Sequence, residues 1–264
     1  MSLSLRFSLS TPLIKRARQL SLALLAGVAL GACSPAPDNN TEANEPVSDP
    51  ASIPTTDEVS RETAAESVEV SEQPITILAL GDSLTEGLGV DPDDNYPAQL
   101  ESQLKKMGYP NITVVNSGLS GETSTGLVNR LDWVLQTKPD ITILTIGAND
   151  AMRGIEVATI ENNIRTAIKR LQADGSEVIL GGMQIYDNLG SDYVESFAAI
   201  YPRIAEDTGV TLIPFFLEGV GGDAALNQAD AIHPTKEGYK IIVNENILPV
   251  LTPELESMVA SEGN

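Results

Sequence analysis

Five short apolar segments rich in Ile and Val recur along residues 75–213, and segments with helical periodicity separate them. Apolar residues run continuously through these segments, which is typical of central strands in a parallel sheet covered on both faces. The predicted strands are Ile75–Leu80, Ile112–Val115, Ile141–Ile146, Val178–Leu180 and Val210–Ile213. Alternation of strands and helices predicts an α/β fold with an open parallel sheet and helices on both faces.

The helical segments are predicted from apolar residues spaced three and four positions apart. Such spacing places the apolar side chains of residues 157–171 on one stripe of a helix. Four further helices are predicted at Tyr96–Met107, around Leu127–Val134, at Tyr193–Asp207 and at Lys236–Leu248. Glycines at 108, 175 and 209 follow three of the helices, as expected at helix ends.

The first 32 residues have the features of a secretory signal peptide. They contain four basic residues and no acidic one, followed by the apolar run LSLALLAGVAL at Leu20–Leu30 and then by small residues. This run is shorter than the about 20 apolar residues that a transmembrane helix needs. The sequence therefore predicts that residues 1–32 are removed on export.

The segment Leu30–Cys33 resembles the lipobox of bacterial lipoproteins, in which the cysteine is lipidated and becomes the new N-terminus. Cys33 is the only cysteine, so a disulfide within the chain is excluded. The resemblance implies an exported protein that faces the periplasm and is anchored to a membrane at Cys33. Ser34 stands where an inner-membrane retention signal would have aspartate, which favours the outer membrane. An ordinary signal peptide with an unrelated cysteine is the alternative.

Residues 34–73 are dominated by Pro, Ser, Thr, Ala, Asn and Glu, with one basic residue, Arg61, and no aromatic residue. Such a segment cannot bury enough apolar surface to offset the loss of chain entropy on folding. We therefore expect 33–73 to be a disordered acidic linker that begins with the lipidated cysteine. Residues 74–264 remain, a suitable length for one domain with its own core.

The charge of the chain excludes some partners. Four of the 16 basic residues and none of the 37 acidic ones lie in 1–32, so the rest of the chain has 12 bases against 37 acids and a formal charge of −25. Nucleic acids and anionic lipid surfaces would be repelled by this charge. We therefore predict no nucleic-acid partner.

Polar residues follow the first three predicted strands. Gly81-Asp82-Ser83 comes after the first strand, 116–121 after the second and Gly147–Asp150 after the third. The carboxyl ends of parallel strands meet at one edge of the sheet, where ligands bind, so these segments can converge. Each has a structural alternative: Ser83 as a helix cap, Gly121 as a turn residue, and Asn149 or Asp150 as a helix cap. Glu86 is expected to be solvated.

A further polar segment, Asp230–Pro234, contains His233, the only histidine of the chain. A lone histidine is more often structural than catalytic. Here Asp230 precedes it by three residues and a candidate nucleophile, Ser83, exists elsewhere, which together favour catalysis. With one histidine and one cysteine only carboxylates could hold a metal, and none follows a calcium-loop pattern, so no metal or cofactor is predicted.

The four polar segments resemble, in order, the motif blocks of the SGNH, or GDSL-type, hydrolases. The blocks read GDSL at Gly81–Leu84, SGET at Ser120–Thr123, GAND at Gly147–Asp150 and DAIHP at Asp230–Pro234. Residues 183–188 and 200–220 further resemble the bacterial subgroup of thioesterase I, lysophospholipase and arylesterase proteins. The resemblance covers about residues 75–250 and implies a flavodoxin-like three-layer α/β/α sandwich with a five-stranded parallel sheet.

The resemblance also implies a role for each motif residue. Ser83 would be the nucleophile, His233 its base and Asp230 the residue that orients the base. The backbone N–H groups of Ser83 and Gly121 and the side-chain amide of Asn149 would form the oxyanion hole. These residue types suit the chemistry, because a serine hydroxyl needs a base and a tetrahedral oxyanion needs fixed hydrogen-bond donors.

We therefore expect a serine esterase that forms an acyl-enzyme. The subgroup implies aryl esters, short and medium acyl esters, lysophospholipids and thioesters as substrates. Export makes acyl-CoA a poor physiological substrate. Two alternatives are an esterase that removes O-acetyl groups from cell-wall or exported polysaccharide, and a lipoprotein that binds a ligand without catalysis.

Overall fold

The computed structural model describes residues 73–186 and 189–262. The predicted signal peptide, Cys33 and nearly all of the predicted linker lie outside the described residues. Among the described residues, no helix combines the length and the apolar character needed to cross a membrane.

The core of the fold is one sheet of five parallel strands in the order β2-β1-β3-β4-β5. The strands are β1 (Ile75–Gly81), β2 (Ile112–Gly118), β3 (Ile141–Thr145), β4 (Glu177–Gly181) and β5 (Thr211–Ile213). This order is the flavodoxin-like order, in which the chain starts in the middle of the sheet and adds strands first to one side and then to the other. The predicted α/β class and parallel sheet are confirmed.

Seven segments of α-helix accompany the strands before the C-terminal helix, within the residues that the structure describes. They are α1 (Ser83–Glu86), α2 (Tyr96–Lys106), α3 (Ser124–Val134), α4 (Ala148–Met152), α5 (Val157–Ala173), α6 (Ser191–Thr208) and α7 (Lys236–Ile241). A 3₁₀ turn, Leu135–Thr137, follows α3. Helices α3, α5 and α6 pack side by side, and α2 packs against α7 and the π-helical turn after it.

Burial along β1 explains why its sequence does not alternate. Ile77, Leu78, Ala79 and Leu80 are all fully buried, although successive side chains of a strand point to opposite faces. Both faces of the sheet are therefore covered, as a three-layer sandwich requires.

Strand β2 is longer than predicted. Asn116, Ser117 and Gly118 were expected in a loop but continue the strand, paired in register with Ala79, Leu80 and Gly81 of β1. Because β2 lies at the edge of the sheet, polar residues can extend it without being fully buried.

The C-terminal helix is also longer than predicted. Instead of ending at Leu248, the chain passes from α7 through a π-helical turn, Ile242–Ile247, into α8 (Leu248–Glu262). Proline at 249 and 253 suggests a helix end in the sequence. Leu251 and Leu255 are fully buried, so packing of this face outweighs the local effect of the prolines.

Candidate active site

Ser83 is the first residue of α1, the single helical turn that directly follows β1. Asp82 caps this turn, since its side chain accepts a hydrogen bond from the backbone N–H of Leu84 at 3.1 Å. Gly87, with φ of 86°, ends it. The nucleophile candidate is thereby held at the carboxyl edge of the sheet.

The structure brings Ser83, His233 and Asp230 into one chain of hydrogen bonds. The Nε2 atom of His233 lies 2.8 Å from the Oγ of Ser83. Its Nδ1 lies 2.7 Å from Oδ2 of Asp230. The hydrogen bond with His233 lowers the pKa of the Asp230 carboxyl to about 2, and the backbone N–H groups of Ile232 and His233 contribute. An ionised carboxylate on Nδ1 leaves Nε2 free to act on the serine hydroxyl.

The segment that carries Asp230 and His233 is held by contacts that the sequence did not reveal. The backbone N–H of Gln228 donates to the carbonyl of His233 at 2.8 Å. The hydroxyl of Tyr186 donates to the carbonyl of Ala231 at 2.7 Å. Ala231 has φ of 60°, a left-handed conformation that is uncommon for a residue other than glycine. The relative positions of Asp230 and His233 therefore depend on a tight turn with a strained backbone at Ala231, which hydrogen bonds from Gln228 and Tyr186 hold in place.

Asn149 lies in α4, a helical turn that follows β3 and begins after Gly147, whose φ is 117°. Its side-chain nitrogen donates to Oδ2 of Asp82 at 3.1 Å. An amide NH₂ has two hydrogens, so one remains to donate to another acceptor. The alternative role of Asn149 as the cap of its own helix is wrong, because Gly147 occupies the cap position and Asn149 lies inside α4.

Asp82 joins the Ser83 turn to Asn149 and is itself buried, with 2% of its surface exposed. Burial raises the pKa of its carboxyl to about 6, against the lowering effect of the hydrogen bonds from Leu84 and Asn149. Its two oxygens accept from these two residues, one each. Asp82 therefore sets the orientation of the Asn149 amide.

Asp150 caps a different helix from the one suggested by its position in the sequence. It lies inside α4, and its carboxylate accepts from the backbone N–H of Ser124 at 2.8 Å and from the Ser124 hydroxyl at 2.7 Å. These bonds give a partner to a backbone N–H at the start of α3, which has none within the helix, and they link α3 to α4. The segment before α3, which contains Gly121, is thus fixed to the helix that carries Asn149.

Gly121 lies between β2 and α3, in a turn closed by a hydrogen bond from the N–H of Glu122 to the carbonyl of Leu119 at 3.0 Å. Its φ of 76° suits glycine. Glu122 is buried and pairs with Arg130, at 2.6 Å between Oε2 and Nη2. Arg130 also donates to the hydroxyl and the carbonyl of Ser117 at 2.7 Å. The ion pair between the buried Glu122 and the half-buried Arg130 fixes this turn to β2 and α3.

A cavity of about 670 Å³ opens beside the Ser83 hydroxyl and is lined by Ser83, Gly121, Asn149 and His233. Its volume lies within the about 300–1,000 Å³ usual for small-molecule sites. The rest of its wall is mostly apolar: Leu84, Leu88, Ala148, Met152, Met183, Ile185, Tyr186, Leu189, Phe215, Leu217, Ala231 and Ile232. A second groove, of about 870 Å³, runs along the start of α2, and neither Ser83 nor His233 lines it.

No metal site was found in the part of the chain that the structure describes. Within 73–186 and 189–262, no three His, Cys, Asp or Glu side chains are grouped so that they could hold a metal ion.

Comparison with known proteins gives a family match. The model of the GDSL-like lipase/acylhydrolase family matches residues 79–241, a segment that includes all four motif blocks. The esterase TesA of Pseudomonas aeruginosa is 38% identical over 181 residues, which cover 68% of this chain and 89% of that protein. A protein of Escherichia coli K12 named thioesterase 1/protease 1/lysophospholipase L1 is 33% identical over 170 residues, or 64% of this chain and 80% of that protein.

A solved structure gives the same result for the fold. The crystal structure of the psychrotrophic esterase EstA from Pseudoalteromonas sp., inhibited by monoethylphosphonate, superposes with a TM-score of 0.64 at 30% identity. The superposition covers 69% of this chain and 98% of that one.

Proposed function

The chain belongs to the GDSL-like lipase/acylhydrolase family, and from that premise we propose that Ser83, His233 and Asp230 are the catalytic triad of a lipid-anchored serine esterase. The enzyme is a hydrolase of ester bonds, as its named relatives are esterases, thioesterases and lysophospholipases. The observation that carries the assignment of the triad is the hydrogen-bonded chain from Ser83 through His233 to Asp230.

In the proposed reaction, Ser83 Oγ attacks the ester carbonyl while Nε2 of His233 takes its proton. The 2.8 Å separation is the distance that this transfer requires. Asp230 fixes the tautomer of His233 and stabilises the imidazolium that forms. His233 then returns the proton to the leaving alkoxide or phenoxide, and the acyl group remains on Ser83. Water, activated by the same histidine, hydrolyses the acyl-enzyme.

The negative charge that develops on the carbonyl oxygen needs donors that are already in place. We assign this role to the backbone N–H groups of Ser83 and Gly121 and to the side-chain amide of Asn149. All three residues line the cavity at the nucleophile. One hydrogen of the Asn149 amide is taken by Asp82, which leaves the other for the oxyanion. Loss of one such donor typically lowers the rate by about 10²–10³.

The cavity indicates the substrate class. Apolar side chains such as Met183, Phe215 and Leu217 surround the space beside Ser83, and no Lys or Arg among the described residues lines it. An acyl chain would bury apolar surface there, whereas a charged acyl group would lose hydration without a partner. Aryl esters, short and medium acyl esters and lysophospholipids fit this lining. Thioesters would react at the same site.

We assign the N-terminal segments from the sequence. Residues 1–32 are the signal peptide, Cys33 is the lipid attachment site, 33–73 is an acidic linker and 74–264 is the hydrolase domain. The protein is then held at a membrane and faces the periplasm, with the outer membrane favoured by Ser34. Mass spectrometry of the N-terminal peptide of the exported protein tests this: the mature chain should begin at a lipid-modified Cys33, and an unmodified Cys33 would contradict the anchor.

The substrate class is tested by comparing kcat/KM on p-nitrophenyl esters from acetate to palmitate for the purified protein and for Ser83→Ala. A Ser83-dependent rate that is highest with medium chains supports the lipid-type esterase. A rate confined to acetate would instead assign the enzyme to removal of O-acetyl groups from polysaccharide. A folded protein without turnover on any ester would mean a ligand-binding protein and contradict the proposed triad.

A further inference from the structure

Glu86 ends the helical turn α1 that Ser83 begins, and its side chain reaches the segment after β2. The backbone N–H of Ser120 donates to Oε2 of Glu86 at 2.7 Å, and the Ser120 hydroxyl donates to the same oxygen. The sequence suggested a solvated glutamate. Glu86 is indeed exposed, yet its carboxylate accepts two hydrogen bonds, and both come from Ser120.

The backbones of α1 and the end of β2 are also in direct contact. A Cβ on Gly118 would lie 2.0 Å from the backbone nitrogen of Glu86, so no side chain fits between them. The side chain of Asn116 donates to the Glu86 carbonyl at 3.3 Å. The N–H of Leu119 donates to the carbonyl of Gly81 at 3.0 Å. The helix turn with the nucleophile and the strand that leads to Gly121 are therefore one packed unit.

Gly121 follows Ser120 in the turn Leu119–Glu122. In this turn φ is positive at Gly121, the third position, but not at Ser120, the second, as in a type II turn. The N–H of Gly121 belongs to the peptide that joins it to Ser120, so the position of Ser120 fixes where this N–H lies. On the other side, Nη2 of Arg153 donates to the Gly121 carbonyl at 2.8 Å. The two residues of the central peptide are thus held separately, Ser120 by Glu86 and Gly121 by Arg153.

We propose that Glu86 is a positioning residue for the oxyanion hole: by holding Ser120 it fixes the Gly121 N–H relative to the Ser83 nucleophile. The assignment rests on the proposed function, because it needs Gly121 to be an oxyanion donor. Such donors accelerate the reaction only when they already point at the position where the oxyanion forms, and a small displacement of a donor lowers the rate. Glu86 and Ser83 lie in the same helical turn. The Gly121 N–H is therefore positioned relative to the same turn that carries the nucleophile.

The charge of Glu86 would have the opposite effect. A carboxylate near a developing oxyanion repels it, so a purely electrostatic role predicts faster turnover when the charge is removed. The positioning role predicts slower turnover when the acceptor is removed and little change when only the charge is removed. Glu86→Ala removes the acceptor, whereas Glu86→Gln keeps an amide oxygen that can accept from the Ser120 N–H and hydroxyl.

The experiment measures kcat and KM on one p-nitrophenyl ester for wild type, Glu86→Ala and Glu86→Gln. We expect kcat of Glu86→Ala to fall about tenfold with KM nearly unchanged, since a displaced Gly121 N–H weakens binding of the transition state but not of the substrate. Glu86→Gln should restore most of the rate. The matched control is Glu101→Ala, whose side chain accepts a backbone N–H, that of Val114, at 2.8 Å but touches no part of the oxyanion turn. It should leave kcat unchanged.

A second readout does not depend on turnover. Hydrogen exchange of the Ser120 amide, measured in the Ser83→Ala background, should be faster when Glu86→Ala is added, while amides of β3 exchange as before. Unchanged Ser120 exchange, or a kcat of Glu86→Ala equal to or above wild type, would overturn the proposal. Turnover that survives Ser83→Ala would instead contradict the proposed function, and the exchange experiment still tests the contact.

Discussion

The Nε2 atom of His233 lies 2.8 Å from Oγ of Ser83, although 150 positions of the chain separate the two residues. Ser83 is placed by the turn that follows β1, in the middle of the sheet. His233 is placed by the segment before α7, where Thr235 caps the helix by accepting from the N–H of Gly238 at 3.3 Å. The proximity of base and nucleophile is therefore a product of the whole sheet and of one tight turn at its edge.

Replacement of Asp230 by Asn should separate orientation of the histidine from its presence. The amide can still accept from the N–H groups of Ile232 and His233, but it no longer offers a charge to Nδ1. We expect kcat to fall on the order of 10⁴-fold, because the wrong tautomer of His233 becomes available and its cation is no longer stabilised. Steady-state kinetics checks this, with circular dichroism as the folding control. A kcat within twofold of wild type would exclude Asp230 from the triad.

The orienting role of Tyr186 is tested with Tyr186→Phe, which removes only the hydroxyl that holds the Ala231 carbonyl. We expect kcat to fall about two- to twelvefold, since the net contribution of one hydrogen bond is about 0.5–1.5 kcal/mol and this one holds the Asp230–His233 segment in place. The matched control is Tyr193→Phe, because the Tyr193 hydroxyl donates to the carbonyl of Ile155 at 2.6 Å, away from the Asp230–His233 segment. Equal rates for the two variants would contradict the role of Tyr186.

Asn149→Ala should lower kcat by about 10²–10³ with little effect on KM, as expected for a donor used in the transition state. The variant has a second effect that can be measured independently. The hydrogen bond from Asn149 lowers the pKa of Asp82, so its removal should raise that pKa further. Infrared or NMR titration of Asp82 in wild type and variant checks this. A lowered or unchanged pKa would mean that the two side chains are not bonded in solution.

The buried Asp82 should make stability depend on pH. Burial raises its pKa from the ordinary aspartate value of 3.8 to about 6 in the folded protein. Between these values the folded state binds more protons than the unfolded state, so this residue lowers stability as pH rises from about 4 to about 6, by about 2–3 kcal/mol. Asp82→Asn lacks this titration. Urea unfolding should therefore show the variant gaining stability relative to wild type from about pH 4 to about pH 7. A pH-independent difference would contradict the raised pKa.

Much of the fold could be predicted because local pattern and tertiary structure agree. All five predicted strands form at the continuous apolar runs, and the helix predicted for 157–171 forms where apolar residues recur at helical spacing. The convergence of the polar segments followed from one rule, that parallel strands end at the same edge. The extension of the C-terminal helix through Leu251 and Leu255 could not be predicted, because the prolines indicate an end and only packing reverses it.

The details of the site depend on interactions between distant residues. Helices α1 and α4 are single turns of four and five residues, too short to show a periodicity. The bonds from Tyr186 to Ala231 and from Ser120 to Glu86 join segments that are 45 and 34 positions apart. No motif in the sequence marks such pairs. A tyrosine or glutamate near a motif block can be recognised as functional only from the folded structure, because the turns determine which segment it contacts.

The central claim is that Ser83 is the nucleophile and that His233 activates it. The most direct measurement is intact-protein mass spectrometry after reaction with a p-nitrophenyl phosphonate, followed by mapping of the modified peptide. We predict one phosphonyl group for each molecule of the wild-type protein, attached to Ser83, together with much slower labelling of His233→Ala and none of Ser83→Ala. Labelling of Ser83→Ala to the same extent as wild type would show that the nucleophile lies elsewhere.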